Sequence, residues 1–141
     1  MVNHKRFVLY TDGARRGNPH NGWVGVALYD EDGNILATAK KFSGTSANND
    51  IEYKAPILGL EESLKRKCRK LSISLDSELL FRQINGIYKV KNKNLQGLIQ
   101  EVRKLLSFLD EYAIEHIEWS KNKVADQLAH DAIDEALRTR S

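Results

Sequence analysis

Two aspartates stand where a metal-dependent reaction could take place. Asp12 closes a short apolar strand that begins at Phe7. Asp76 closes a segment in which apolar and polar residues alternate from Leu71. If these strands are parallel neighbours, both carboxylates lie beyond the carboxyl ends of the strands, where such sheets bind ligands. Carboxylates gathered there repel one another unless a cation lies between them, and oxygen ligands suit Mg²⁺ or Mn²⁺ better than Zn²⁺.

The same two residues also fit ordinary structural roles. Asp12 precedes Gly13, and an Asp-Gly step is a common turn. Asp76 precedes Ser77, and an Asp-Ser step is a common helix start. Spacing alone leaves the metal site and these structural roles open, so the surrounding elements matter.

The first half of the chain has the pattern of three strands followed by a helix. Residues 7–10 form a short apolar run with loop residues behind it. Two β-rich runs, at residues 23–29 and 35–42, are joined by a segment with an Asp-Gly step, which is a strong hairpin signal. From Asn48 the apolar residues recur at helical spacing, which predicts a helix that ends in the basic stretch 65–70. Those cations complement the negative end of the helix dipole.

The second half alternates strands with helices. Residues 71–76 predict a fourth strand, and a short helix follows from Ser77. Apolar residues on one helical face predict a helix over 95–111. Residues 113–119 are a candidate fifth strand, and Asn122 can cap a last helix.

The composition is that of one small globular domain, which we expect to span residues 1–141. Hydrophobic residues make up 41% and charged residues 29% of the chain, which excludes extended disorder. The single cysteine, Cys68, excludes an internal disulfide and a cysteine-rich zinc site. No segment has a signal-peptide core or about 18 consecutive apolar residues, so we expect a cytoplasmic protein with no membrane partner. A net charge of +3 permits a polyanionic partner without indicating one.

Four motifs together resemble type 1 ribonuclease H. They are Tyr-Thr-Asp-Gly-Ala (residues 10–14) with Gly-Asn-Pro (17–19), Asn-Asn-x-x-Glu-Tyr (48–53), Leu-Asp-Ser (75–77) and Asn-x-x-Ala-Asp-x-Leu-Ala (122–129). The motifs occur in the family's order, so the resemblance covers nearly the whole chain. The segment 83–92 further resembles the short, archaeal-like branch of the family, which lacks the long basic protrusion of the bacterial enzyme.

The resemblance implies a fold, a site and a reaction. The fold is α/β and ribonuclease H-like, with a five-stranded mixed sheet in the order 3-2-1-4-5 flanked by helices. The family's metal-binding and catalytic carboxylates match Asp12, Glu52, Asp76 and Asp126. The family hydrolyses the RNA strand of RNA/DNA hybrids endonucleolytically and leaves 5′-phosphate and 3′-hydroxyl ends. With substrate bound, two Mg²⁺ or Mn²⁺ ions about 3.5–4 Å apart would activate the attacking water and stabilise the leaving 3′ oxygen.

The resemblance also implies contacts with the hybrid. A hybrid is recognised at its wide, shallow minor groove through 2′-hydroxyl groups, a task that suits short polar side chains. The matching residues are Asn18, Asn48 and Asn49 for the minor groove, and Lys89, Lys91 and Asn92 for the phosphates of the DNA strand. Alternating lysines suit phosphate neutralisation, although a solvated basic loop explains them as well. Asn49 has the alternative role of helix cap.

The sequence departs from the family pattern near the expected site. Trp119 stands where the archaeal-like branch has an arginine, so assistance to the reaction is weaker or comes from His116, Ser120 or Lys121. Strand alternation favours a core or sheet-face position for His116. Glu78 replaces a glutamine that contacts RNA in the family, and a carboxylate facing phosphates is unfavourable, so we expect it to turn away or narrow the substrate range.

Pro56 is a departure of another kind, because it lies four residues after Glu52. Proline has no N–H to donate to the Glu52 carbonyl, which predicts a local kink beside a candidate catalytic carboxylate.

We therefore expect a metal-dependent endoribonuclease that acts on hybrids as a monomer. The alternative is a hybrid- or double-stranded-RNA-binding module of the same fold with weak or lost turnover, supported only by the missing arginine. All four carboxylates are retained, which counts against it. A junction resolvase or an integrase of the same fold is disfavoured by the Gly-Asn-Pro and Asn-Asn elements.

Overall fold

Five strands and four helices follow one another in the computed structural model, which describes residues 3–16, 21–45, 50–86, 89, 91 and 93–139. The strands are β1 (Asn3–Arg16), β2 (Asn21–Tyr29), β3 (Ile35–Thr45), β4 (Cys68–Leu75) and β5 (Glu111–His116). The helices are α1 (Asp50–Lys65), α2 (Glu78–Ile84), α3 (Lys93–Leu106) and α4 (Lys123–Thr139), with a short 3₁₀ helix, η1 (Trp119–Lys121), before α4.

The strands form one mixed sheet in the order β3-β2-β1-β4-β5, which confirms the expected fold. β2 pairs with β1 and β3 in antiparallel fashion, whereas β4 is parallel to β1 and β5. In the parallel register Tyr10 lies opposite Ser74. Two residues further along each strand, Asp12 and Asp76 therefore reach the same edge of the sheet.

Alternate side chains of β1 contact two different helices, one on each face of the sheet. The side chains of Leu9 and Thr11 lie against Gly59 of α1, where an added Cβ would be 2.8 and 2.9 Å from their methyl carbons. Ala14 packs instead against Ala129 in α4. Because successive side chains of a strand point to opposite faces, Asp12 lies on the α4 side of the sheet.

The main core lies between the sheet and the helices α1 and α3. Its buried members include Leu9, Leu60, Leu71, Ile73 and Val102. This core fills the inner face of β1 and β4, the two strands that carry the aspartates, so their backbones are held by packing on one side and by hydrogen bonds along both edges. The well-packed core therefore supports the part of the sheet that carries the two aspartates.

Several element boundaries differ from the sequence expectations, and β4 already begins within the basic stretch 65–70. The fifth strand ends at His116 instead of residue 119, because the chain turns into η1 to bring Asn122 back to β1. The third helix ends at Leu106, and a tight turn carries the still-buried Leu109 into the core. α1 continues through Pro56 without ending there, and the local kink expected beside Glu52 stays a prediction.

Among the described residues, none of the helices combines the length and the apolar character that spanning a membrane requires.

Candidate active site

β1 and β4 place two carboxylates at one edge of the sheet. Asp12 lies in β1 opposite Gly25 of β2, and its Oδ1 accepts a hydrogen bond of 2.9 Å from the Gly13 N–H. Asp76 directly follows β4. Together with Glu52 they line one small depression between the sheet edge and α1. The two carboxylates are therefore neighbours as expected, but Asp12 does not close its strand, because β1 continues to Arg16 after its pairing with β4 has ended at Tyr10.

Ser77 links Glu52 to the start of α2. The Ser77 hydroxyl accepts a hydrogen bond of 3.2 Å from the Leu80 N–H and is the N-cap of α2. The same hydroxyl donates to Glu52 Oε2 at 3.3 Å. The helix-capping role proposed for the Asp76-Ser77 pair thus belongs to Ser77, which leaves the Asp76 carboxylate available for another function.

Asn122 connects the two strands to α4. Its side chain is only 1% exposed, and its Nδ2 donates to the Thr11 carbonyl at 2.9 Å and to Asp76 Oδ2 at 3.0 Å. The Asn122 carbonyl accepts the Asp126 N–H at 3.1 Å, which begins α4 with Asp126 in its first turn. One buried amide therefore sets the position of Asp76 relative to both β1 and α4.

The Asp12 carboxyl is influenced electrostatically by Asp76 and Asp126. Burial raises the pKa of Asp12 to about 8, and a hydrogen bond with the Asp126 carboxyl and the negative charges of Asp76 and Asp126 act in the same direction. The Gly13 N–H opposes the shift without cancelling it. Asp12 therefore holds a proton at neutral pH when no cation is bound, since a further buried negative charge beside its neighbours is unfavourable. A divalent cation would relieve this strain, so the carboxylates fit such an ion.

The carboxylates form an open site. Within the described ranges, no three His, Cys, Asp or Glu side chains already surround an ion-sized centre. Mg²⁺ is commonly held by one or two carboxylates together with water and substrate phosphates, instead of by a closed protein cage. The arrangement suits an ion that is shared between protein and substrate.

We expect Asp12→Asn to change how the stability of the metal-free protein depends on pH. The folded protein binds one proton more than the unfolded chain between the ordinary pKa of 3.8 and the folded value of about 8. The free energy of unfolding therefore decreases as pH rises through this range, and the variant lacks this decrease. In the presence of a chelator, the decrease in Tm from pH 5 to pH 8.5 should be a few degrees larger for the wild type than for Asp12→Asn. An identical pH response of the two proteins would contradict the assignment.

Of the remaining sequence-predicted residues, the structure describes Lys89, Lys91 and His116. Lys89 and Lys91 are exposed in the segment between α2 and α3. Asn18, Asn48, Asn49 and Asn92 lie outside the described residues. His116 is exposed at the end of β5, where its Nε2 lies 3.3 Å from the Asp76 carbonyl oxygen, so of the two expected positions, core or sheet face, the core is excluded.

Two side-chain contacts of acidic residues near the site were not predicted. His130 Nε2 lies 3.5 Å from Asp126 Oδ1, and the i,i+4 spacing in α4 is the signal that could have revealed it. The Glu78 carboxylate accepts hydrogen bonds from the Arg82 guanidinium at 2.9 and 3.0 Å. Glu78 is therefore paired along its own helix, which reduces its repulsion of a nearby phosphate.

A larger cavity, of about 400 Å³, lies on the α4 side of the sheet, next to the β2–β3 hairpin. Its walls include Tyr10, Tyr29, Asp30, Lys121 and Lys123. None of the four site carboxylates lines this cavity, so the larger cavity volume does not mark the candidate active site. The depression at the sheet edge is smaller, but it contains the residues that can hold a metal ion.

Comparisons with known proteins agree with this geometry. A family model described as reverse transcriptase-like matches residues 10–132. Ribonuclease HI of Halobacterium salinarum is 35% identical over 131 residues, which are 93% of this chain and 66% of that protein. A bifunctional protein of Mycobacterium tuberculosis is 32% identical over 135 residues, which are 95% of this chain. The chain spans only 37% of that relative's length.

Solved structures extend the similarity to three dimensions. The crystal structure of the Halobacterium salinarum RNase H1 superposes with a TM-score of 0.88 at 34% identity and covers 92% of this chain and 98% of that chain. LC11-RNase H1, solved in complex with an RNA/DNA hybrid, superposes with a TM-score of 0.85 at 34% identity, and the match covers 93% of this chain and 99% of that chain.

Proposed function

The chain belongs to the type 1 ribonuclease H family, and we propose that it hydrolyses the RNA strand of RNA/DNA hybrids endonucleolytically. The observation that carries the proposal is the meeting of Asp12, Asp76 and Asp126 at one sheet edge, with Glu52 in the same depression. The relative solved with a hybrid supports the choice of substrate.

We propose that Asp12, Glu52, Asp76 and Asp126 hold Mg²⁺ or Mn²⁺, two ions when substrate is bound. Such ions would supply an activated water and neutralise the leaving 3′ oxygen, giving 5′-phosphate and 3′-hydroxyl products. The chain's own groups keep the carboxylates in place. Asn122 holds one oxygen of Asp76, and Ser77 holds one oxygen of Glu52, so each keeps its other oxygen for a ligand.

Substrate contacts by Lys89 and Lys91 remain predictions that their exposure permits. The same holds for Asn18, Asn48, Asn49 and Asn92. We also propose that residues 1–141 act as one catalytic domain, as a monomer in the cytoplasm.

Incubation of the protein with labelled RNA/DNA hybrid, RNA duplex and DNA duplex tests the proposal. We expect cleavage of the hybrid's RNA strand in Mg²⁺ or Mn²⁺, none in chelator, and intact DNA duplex. The RNA fragments should be extendable at their 3′ ends and carry 5′-phosphates. Binding of the hybrid without cleavage in either metal would replace the proposal with that of a binding module.

A further inference from the structure

The cavity next to the β2–β3 hairpin, called the hairpin cavity below, lies over a part of the sheet that α4 leaves uncovered. α4 contacts Gly25 of β2 through Ala125 and reaches Ala14 of β1 through Ala129. The helix therefore runs away from the end of β2, and Tyr29 lies beyond its first turn. A volume of about 400 Å³ is within the range of small-molecule binding sites.

The floor of the hairpin cavity offers aromatic and aliphatic surface in a fixed arrangement. The rings of Tyr10 and Tyr29 meet edge to face, with their centroids 5.3 Å apart and their planes at 77°. The two tyrosines belong to β1 and β2, which are directly paired. Val8 and Val124 add aliphatic surface. Such a floor can pack against the apolar body of a ligand.

Two groups of opposite charge border this floor. Lys121 and Lys123 belong to the turn into α4, whereas Asp30 and Glu31 belong to the hairpin. None of these four side chains forms an ion pair with another described residue. Both groups therefore remain available to a ligand that carries charges of both signs.

The hairpin holds Asp30 in place through one of its two carboxylate oxygens. Asp30 Oδ1 accepts hydrogen bonds from the Asp32 N–H at 3.0 Å and from the Asn34 N–H at 2.9 Å. Within the described ranges, no hydrogen bond is donated to Asp30 Oδ2. The hairpin thus fixes this carboxylate and leaves one of its oxygens for a ligand.

The balance of charge and the size of the hairpin cavity favour a small zwitterion. Two ammonium groups and two carboxylates cancel, so a polyanion gains little net attraction here. A compact cavity of about 400 Å³ is about 9 Å across. The two charges of a free amino acid are too close together to reach both sides of such a cavity, whereas the ends of an extended dipeptide are about 7 Å apart.

We propose that the hairpin cavity binds a zwitterionic dipeptide with large apolar side chains. The carboxylate of the ligand pairs with the two lysines of the turn, and its ammonium group pairs with the two carboxylates of the hairpin. Its side chains pack against the two tyrosines. The hairpin cavity shares no residue with the four carboxylates of the candidate active site, so this binding does not depend on hydrolysis of a hybrid.

Titration with the dipeptide leucylphenylalanine tests the proposal. The ¹⁵N-labelled protein is observed by NMR in chelator, without nucleic acid, so that no catalytic step contributes. We expect saturable shifts at Gly33 and Lys121 and none along α3. The N-acetyl form lacks the ammonium group and the C-terminal amide lacks the carboxylate, so each should bind about fivefold more weakly, as expected for the loss of a partly exposed ion pair.

Variants assign each end of the dipeptide to its side of the hairpin cavity. Glu31→Gln should weaken binding of leucylphenylalanine about fivefold and leave binding of its N-acetyl form unchanged. Lys121→Gln should weaken binding of the dipeptide similarly and leave binding of its C-terminal amide unchanged. Glu101→Gln and Lys104→Gln are the matched controls, since both residues are exposed in α3, and they should bind like the wild type.

The outcomes decide between this ligand and others. Saturable binding that is weakened by each blocked end and by the matching variant supports the proposal. Absence of saturable binding at low millimolar concentrations would overturn it, and so would equal binding of the free and blocked dipeptides. Tighter binding of adenosine 5′-monophosphate, whose charge is negative alone, would replace the zwitterion with an anion. None of these results depends on whether the protein cleaves a hybrid, so failure of the proposed function would be recognised separately.

Discussion

Asp76→Asn should abolish hydrolysis of the hybrid while the protein still folds. The substitution keeps the size of the side chain and an oxygen that can accept the Asn122 hydrogen bond, now 3.0 Å long. It removes the negative charge that would hold a divalent ion. Because metal assistance contributes several kcal/mol to such reactions, we expect kcat to fall about 10³-fold or more in Mg²⁺. Steady-state turnover, circular dichroism and hybrid binding in chelator measure the three effects separately.

Asp12→Asn should give the same loss of turnover for the same reason. Asp32→Asn is the matched control, because it removes one negative charge from the exposed β2–β3 hairpin, at the other end of the sheet. The control should keep wild-type turnover. Near-normal hydrolysis by both Asp12→Asn and Asp76→Asn in Mg²⁺ would falsify the assignment of the carboxylates.

Gly25→Ala should damage stability and activity together. The backbone of α4 lies so close to β2 at Gly25 that a Cβ there would overlap the Ala125 carbonyl oxygen. It would also lie 2.6 Å from the Ala129 nitrogen and 2.9 Å from the Leu128 Cβ. Helix backbone cannot rotate away as a flexible side chain can, so α4 must shift as a unit. We expect a loss of about 3 kcal/mol in the free energy of unfolding and a Tm lower by roughly 10 °C.

The same shift should lower turnover because Gly25 lies opposite Asp12 in the β1–β2 pair. Moving α4 outward separates Asp126 from Asp12, whose carboxyls are hydrogen-bonded in the native protein. Gly97→Ala is the control, since nothing lies within 4 Å of a Cβ at this exposed position in α3. It should stabilise the protein by about 0.5–1 kcal/mol and leave turnover unchanged. A Gly25→Ala protein with wild-type Tm would show that the two layers are not in such close contact.

The sequence predicted the elements because their signals are local. Alternation in β4 and the helical stripe of α3 are periodic patterns that do not depend on distant residues. The strand order and the carboxylate at Glu52 came instead from the resemblance of whole motifs, since no local pattern relates β1 to β4. Element ends were less accurate, and β5 stops three residues early because the return to β1 decides where it ends.

The contacts that position the carboxylates could not be predicted from local sequence. The sequence predicts Asn122 to be a helix cap. Its buried amide instead donates to the Thr11 carbonyl and to Asp76, which are 111 and 46 residues away in the sequence. His116 follows strand alternation, but the end of the sheet leaves it exposed beside the Asp76 carbonyl. Such roles depend on which distant segments of the chain meet in the folded protein. The periodicity of the sequence contains no information about those meetings.

The bond from Asn122 to the Thr11 carbonyl joins the last helical segment to the first strand. During synthesis, β1 emerges from the ribosome long before α4 has been made. A nascent chain can therefore contain Asp12, Glu52 and Asp76 while it still lacks Asp126 and the Asn122 amide that orients Asp76. In the proposed enzyme, nuclease activity would thus be withheld from the growing polypeptide until synthesis has passed Asp126 and the final helix has docked.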